Sequence, residues 1–137
     1  MTEPAARFQN FATRLLRQAR LLDEGSSLTS AQYSALSTLY SHTGLALTEL
    51  AQMEYVSHPT MSRIVSALVK QGLVERQPHE HDRRALRLSL SEAGRAAYER
   101  VYARRLAVIG ALLDRLKPET VADLLHALEN LPVLNRP

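Results

Sequence analysis

The chain contains no cysteine, which excludes disulfides, thiolate metal sites and redox sensing through a thiol. No apolar run approaches the length of a membrane span, and the start, Met1-Thr2-Glu3-Pro4, does not open a basic run followed by an apolar stretch. Those absences predict a cytoplasmic protein with no membrane association. There is no glycine-rich phosphate loop and no Ser/His/acid set whose placement suggests convergence. No enzymatic activity and no cofactor are therefore expected, although such triads are recognised by geometry rather than by order. Lysine and arginine are missing from Leu21 to Ser62, a band that carries Asp23, Glu24, Glu49 and Glu54. It is a poor phosphate-binding surface except through backbone amides and hydroxyls. Internal repeats and low-complexity linkers are also absent.

What is present fits one globular domain covering 1–137: 45% hydrophobic and 23% charged residues over a length able to bury a core. The charge is unevenly placed. Residues 56–90 hold six cations (Arg63, Lys70, Arg76, Arg83, Arg84, Arg87) against three acids (Glu75, Glu80, Asp82), and the rest of the chain is balanced, so the whole net charge of +3 sits in this quarter. A basic balance confined to one unit is the electrostatic footprint of a nucleic-acid surface.

Periodicity predicts a mainly α chain, with strand signals confined to one ribbon. A first helix over Ala5–Leu22 carries Phe8, Phe11, Ala12, Leu15, Ala19 and Leu22 as one stripe and stops in Asp23-Glu24-Gly25-Ser26-Ser27. The two phenylalanines belong either to the core or to a dimer seam. Thr29 and Gln32 have capping-box spacing for a second helix to about Ser41, burying Leu36, Leu39 and either Tyr33 or Tyr40. Past Gly44, Leu47-Thr48-Glu49 caps a short third helix through Glu54 with Leu50, Ala51 and Met53 inward. Ser57 then caps a helix that tolerates Pro59 in its first turn and closes at Gln71-Gly72.

In that helix Met61, Ile64, Val65, Leu68 and Val69 form an inward face. The opposite face carries His58, Thr60, Ser62, Arg63, Ser66 and Lys70, donors and positive charge with no carboxylate, as a helix lying in a major groove requires. Its N-terminus at Ser57 also offers free N–H groups to a phosphate. Strands follow over Leu73–Arg76 and Ala85–Leu90, the second alternating with Leu86, Leu88 and Leu90 inward, joined by a charged tip over Gln77–Arg84. Arg83 and Arg84 on the tip, with Arg63 on the helix, are expected DNA contacts; Arg76 and Arg87 either flank the ladder or meet phosphate. A long helix starts at Ser91-Glu92-Ala93-Gly94 and reaches about Leu116, and a last one begins with Pro118 at its first position. These end helices carry more apolar surface than one small lobe covers, which predicts a helical dimerisation region over 5–24 and 91–137 beside a DNA-binding lobe over 30–90.

At Asp82-Arg83-Arg84, and in Leu88-Ser89-Leu90-Ser91-Glu92-Ala93-Gly94, the chain resembles the MarR family of bacterial winged-helix regulators. Pro59-Thr60-Met61-Ser62-Arg63-Ile64-Val65 with Leu68, Gly72-Leu73-Val74-Glu75-Arg76, and Leu28-Thr29 with Gln32-Tyr33 carry the same likeness. It implies a winged helix-turn-helix, a three-helix core plus a two-stranded wing, in a homodimer that binds double-stranded DNA at a pseudo-palindromic operator. It further implies that Arg84 enters the minor groove, that Asp82 holds the wing, and that Thr60, Ser62 and Arg63 face bases and phosphates. Tyr55 departs from the pattern by standing where a smaller turn residue is usual.

The resemblance also implies a cleft for a small phenolic or anionic effector, for which Phe11, Arg17, Tyr33 and Tyr40 are the candidate lining residues. The expected function is a sequence-specific, ligand-responsive repressor. Non-specific architectural DNA binding and a metal-responsive regulator remain open beside it. His79-Glu80-His81-Asp82 offers four ligand types in a row, but alternate side chains of an extended ribbon point oppositely, so no metal site is expected.

Overall fold

The computed structural model describes residues 2–22, 25–78, 81 and 86–132. Its elements are α1 (Thr2–Leu22), α2 (Ser30–Ser41), α3 (Leu47–Met53), α4 (His58–Lys70), β1 (Val74–Pro78), β2 (Leu86–Leu90), α5 (Glu92–Leu113) and α6 (Pro118–Asn130). The expected order, mainly α with a two-stranded ribbon, is borne out.

Local chemistry sets most boundaries. Thr29 Oγ1 accepts the Gln32 N–H at 3.1 Å and the Gln32 side chain accepts the Thr29 N–H at 3.0 Å, the reciprocal box that starts α2. At α3 the cap is Ala46, one residue before the expected Leu47-Thr48-Glu49, which lies inside the helix. Alanine has no side-chain acceptor, so only half a box forms, with Glu49 Oε1 accepting the Ala46 N–H at 3.1 Å. Ser57 caps α4, and Gly72 follows its end with φ +75°, where a side chain would clash with its own backbone. Pro118 opens α6.

The core gathers where α2, α3, α4 and the ribbon meet. Leu36 and Leu39 of α2, Leu50 of α3, and Met61, Val65 and Leu68 of α4 are its largest sealed side chains. Tyr33 is buried and Tyr40 only partly so. Two inward assignments need correction. Met53 lies 41% exposed because α3 ends there, and Leu86 lies 48% exposed because it stands at the outer end of the ribbon, past the core's reach. Period-2 alternation fixes which side of a strand a residue takes, and only Leu88 and Leu90 stand where that side has something to pack against.

The ribbon is antiparallel in the register Val74↔Leu90, Arg76↔Leu88 and Pro78↔Leu86. Strand pairing is not confined to it. The Leu88 N–H donates to Leu45 O at 2.7 Å and the Gly44 N–H to Leu88 O at 3.1 Å, so residues before α3 form a short third rung along β2.

An unforeseen tie holds the helix-turn-helix itself. Ser34 Oγ and Thr38 Oγ1 of α2 donate to the two oxygens of Glu54, at 2.6 and 2.7 Å, just past the end of α3. The next residue, Tyr55, takes φ +56° to turn the chain, a conformation that usually selects glycine. Hydrogen bonds to a charged acceptor are among the stronger ones. Glu54→Ala should therefore destabilise the fold by about 2 kcal/mol, measured by chemical denaturation, with a loss under about 0.5 kcal/mol marking the clamp as a bystander.

By Cα packing the chain divides into two compact units, Met1–Ala103 and Arg104–Pro137. In the first, α1 leaves Phe8 and Phe11 57% and 61% exposed, so the core alternative for the two phenylalanines does not hold within one chain. In the second, α6 buries no residue, and Leu124, Leu125 and Leu128 stand in the open.

Candidate nucleic-acid interface

α4 presents two faces, as its periodicity predicts. Met61, Val65 and Leu68 are buried, with Ile64 and Val69 packed against them, and His58, Thr60, Arg63, Ser66 and Lys70 are exposed. Ser62 lies between the two, half-buried. The helix contains no acid along its whole length. Ser57 Oγ accepts the Thr60 N–H at 3.3 Å and donates to Thr60 Oγ1 at 2.8 Å. The cap thus occupies both hydroxyl oxygens at the helix start and leaves the Thr60 hydroxyl hydrogen for an outside acceptor. Lys70 stands at the far end of the helix from His58, about 18 Å along the axis. A helix entering a groove by its N-terminus would present Arg63 near bases and Lys70 to a distant phosphate.

The ribbon is fastened to this helix by side chains the sequence left ambiguous. Arg76 Nη2 of β1 donates to Ser66 Oγ of α4 at 3.2 Å. Arg87 Nη1 of β2 donates to Glu49 Oε1 at 2.9 Å and to Gly44 O at 3.2 Å. Both arginines thus flank the ladder with protein partners. The acids of α3 and of its C-terminal cap are engaged as well, Glu49 by Arg87 and Glu54 by two hydroxyls, so neither opposes an approaching phosphate as an isolated carboxylate. Asp82, Arg83 and Arg84 lie outside the described residues, as do His79 and Glu80 of the possible ligand run.

The four effector-lining candidates separate into two pairs. Tyr33 and Tyr40 converge on Tyr98 of α5, with ring centroids 5.4 and 4.6 Å from it, and Tyr102 stacks against Tyr98 at 5.6 Å. The Arg95 guanidinium lies 4.8 Å over the Tyr40 ring, and the Tyr40 hydroxyl donates to Glu99 at 3.0 Å. Phe11 and Arg17 are exposed on α1. Four of the chain's five tyrosines thus form one aromatic cluster, of which the expected lining held only two. The i, i+4 spacing of Tyr98 and Tyr102 placed that pair on one side of α5, but nothing local announced that α2 would bring Tyr33 and Tyr40 to it.

Three core helices, a tight turn into an acid-free helix and a ribbon tied back onto it define a winged helix-turn-helix protein. Comparison with known proteins narrows the class. The model of the MarR family matches residues 28–86. The HTH-type transcriptional regulator Mb0904 of Mycobacterium bovis is 35% identical over 122 residues, covering 84% of this chain and 85% of that protein. A MarR family protein from Bacillus stearothermophilus superimposes with a TM-score of 0.88 at 24% identity, over 93% of this chain and 89% of the other. A point mutant of MepR from S. aureus, solved bound to an oligodeoxyribonucleotide, gives 0.70 at 21% identity, over 91% and 92%. The chain belongs to the MarR family, and its class is that of DNA-binding transcriptional regulators. Among the described residues, no helix is long and apolar enough to cross a membrane.

Proposed function

We propose that the protein is a sequence-specific repressor that binds a pseudo-palindromic operator as a homodimer. The single observation carrying this reading is the outer face of α4: His58, Thr60, Arg63 and Lys70 exposed with no acid on the helix, and the ribbon fastened beside it. On this reading Ser57, His58, Thr60, Ser62 and Arg63 meet bases and phosphates at the N-terminal end, and Lys70 meets phosphate. Asp82, Arg83 and Arg84 serve the wing, with Arg84 entering the minor groove. The lobe over 30–90 holds the DNA, and α1 with the segment from 91 onward holds the second copy. Repression is steric, the dimer covering a promoter in the cytoplasm. A phenolic or anionic effector acts by binding DNA-competent and incompetent forms unequally; the aromatic rings of Tyr33 and Tyr40 and the nearby Arg95 guanidinium suit such a ligand chemically.

The test is a fluorescence-anisotropy titration onto duplex from upstream of the protein's own gene, with random duplex at the same salt as competitor. A preference of about a thousandfold or more supports the operator reading. Equal affinity for both duplexes favours architectural binding instead. In the same assay Arg63→Ala should lower the slope of log K against log salt by about one if the guanidinium neutralises a phosphate. An unchanged slope together with unchanged affinity would remove Arg63 from the interface.

A further inference from the structure

We infer that Arg87 and Glu49 are a positioning pair for the wing, setting where the ribbon stands relative to α4 without touching DNA themselves. The inference rests on the DNA-binding reading above. β2 is joined to the segment before α3 by two main-chain bonds at one point, between Leu88 and Gly44-Leu45. A ribbon held at one rung can still pivot about it. Arg87, one residue further out, supplies a second point: Nη1 reaches Glu49 Oε1 at 2.9 Å and Gly44 O at 3.2 Å.

Glu49 is itself fixed, because the same oxygen accepts the Ala46 N–H at 3.1 Å and so closes the first turn of α3. The guanidinium therefore grips the start of a helix, which is rigid, rather than a loose side chain. On the other strand Arg76 grips Ser66 of α4. The ribbon is bracketed from both sides, with the α3 bracket three residues from Arg84 in sequence.

The pair is partly exposed, 35% at Arg87 and 50% at Glu49, so it adds little to the stability of the fold. Its contribution is directional. The competing role for Arg87 is a direct phosphate contact, and the two roles differ in sign at Glu49. Removing a carboxylate beside a DNA surface should tighten binding through electrostatics alone, whereas removing the anchor of the wing should weaken it.

The experiment uses Glu49→Gln, which keeps an amide oxygen for the Ala46 N–H and loses the charge, together with Arg87→Met and the double variant. Each is titrated by anisotropy, well below its thermal midpoint, onto whichever duplex the wild-type protein binds most tightly. Each single change is expected to weaken binding by about fivefold or more, and the double by no more than the worse single. The salt slope should stay at the wild-type value, and midpoints should shift by less than about 3 °C. Unchanged or tighter binding by Glu49→Gln overturns the pairing role. A slope lowered by about one in Arg87→Met alone assigns Arg87 to a phosphate instead. Wild-type protein that binds neither duplex overturns the regulator reading itself, a result distinct from either.

Discussion

Gly94→Ala should leave little folded protein. A Cβ built on Gly94 would lie 1.9 Å from Leu73 O and 2.8 Å from Leu73 C, both backbone atoms that cannot rotate away. The crowded carbonyl is already in use, accepting the Ser91 N–H at 3.1 Å. Ser91 Oγ donates to Gly72 O at 2.6 Å and accepts the Gly94 N–H at 3.0 Å, so Ser91 caps α5 and pins it to the turn after α4. Leu73 in turn donates to Leu68 O at the end of α4. Pushing Leu73 aside would disturb the end of α4, the start of β1 and the first turn of α5 together. Overpacking of this kind with loss of the buried bonds costs about 3 kcal/mol or more, a large part of the roughly 5–15 kcal/mol a domain commonly has. The expected result is insoluble protein, or a midpoint by circular dichroism lowered by about 10 °C or more. A variant melting within about 2 °C of wild type would mean that α5 and the turn after α4 do not approach this closely.

That glycine shows how the sequence carries meaning at short range. Leu90-Ser91-Glu92-Ala93-Gly94 is legible as a strand-to-helix turn because cap and glycine are three residues apart. The same holds for Thr29 with Gln32, Ser57 before Pro59, and Gly72 after Lys70, where the partners lie within one turn of each other. Those signals placed α2 and α4, and with them the outer face of α4, and they placed the ribbon to within two residues, Gln77 and Pro78 belonging to β1 rather than to the tip. What escaped is long-range. Glu54 meets Ser34 and Thr38 across twenty and sixteen residues, and Arg87 meets Glu49 across thirty-eight. No periodicity encodes those separations, so Glu49 and Glu54 read as part of a band hostile to phosphate when both are tied up. Amphipathic period likewise told that α1 has an apolar side without telling what covers it.

Leu128→Glu should convert a dimer into monomers and abolish tight operator binding. The residue is 51% exposed on α6, beside Leu124 and Leu125 at 39% and 49%. A single exposed side chain changed to carboxylate alters the stability of the isolated chain by about 0.5 kcal/mol at most. In a seam between two copies the same change buries an unpaired charge, at a cost of several kcal/mol. The α6 row is too apolar to be left in water: isolated helices of this length are marginal, and most helical stability in proteins comes from packing such a face. Sedimentation should give twice the 15.3 kDa chain mass for the wild type and once for the variant. Operator affinity should fall by about a hundredfold or more, because two half-sites held by one dimer gain roughly 10²–10⁴ from linkage alone. Binding to random duplex, which needs only one basic face, should fall much less. A variant that keeps the dimer mass would move the seam away from α6. A wild-type protein sedimenting as a monomer would remove the homodimer from the proposed mechanism, and with it the expectation of a palindromic site.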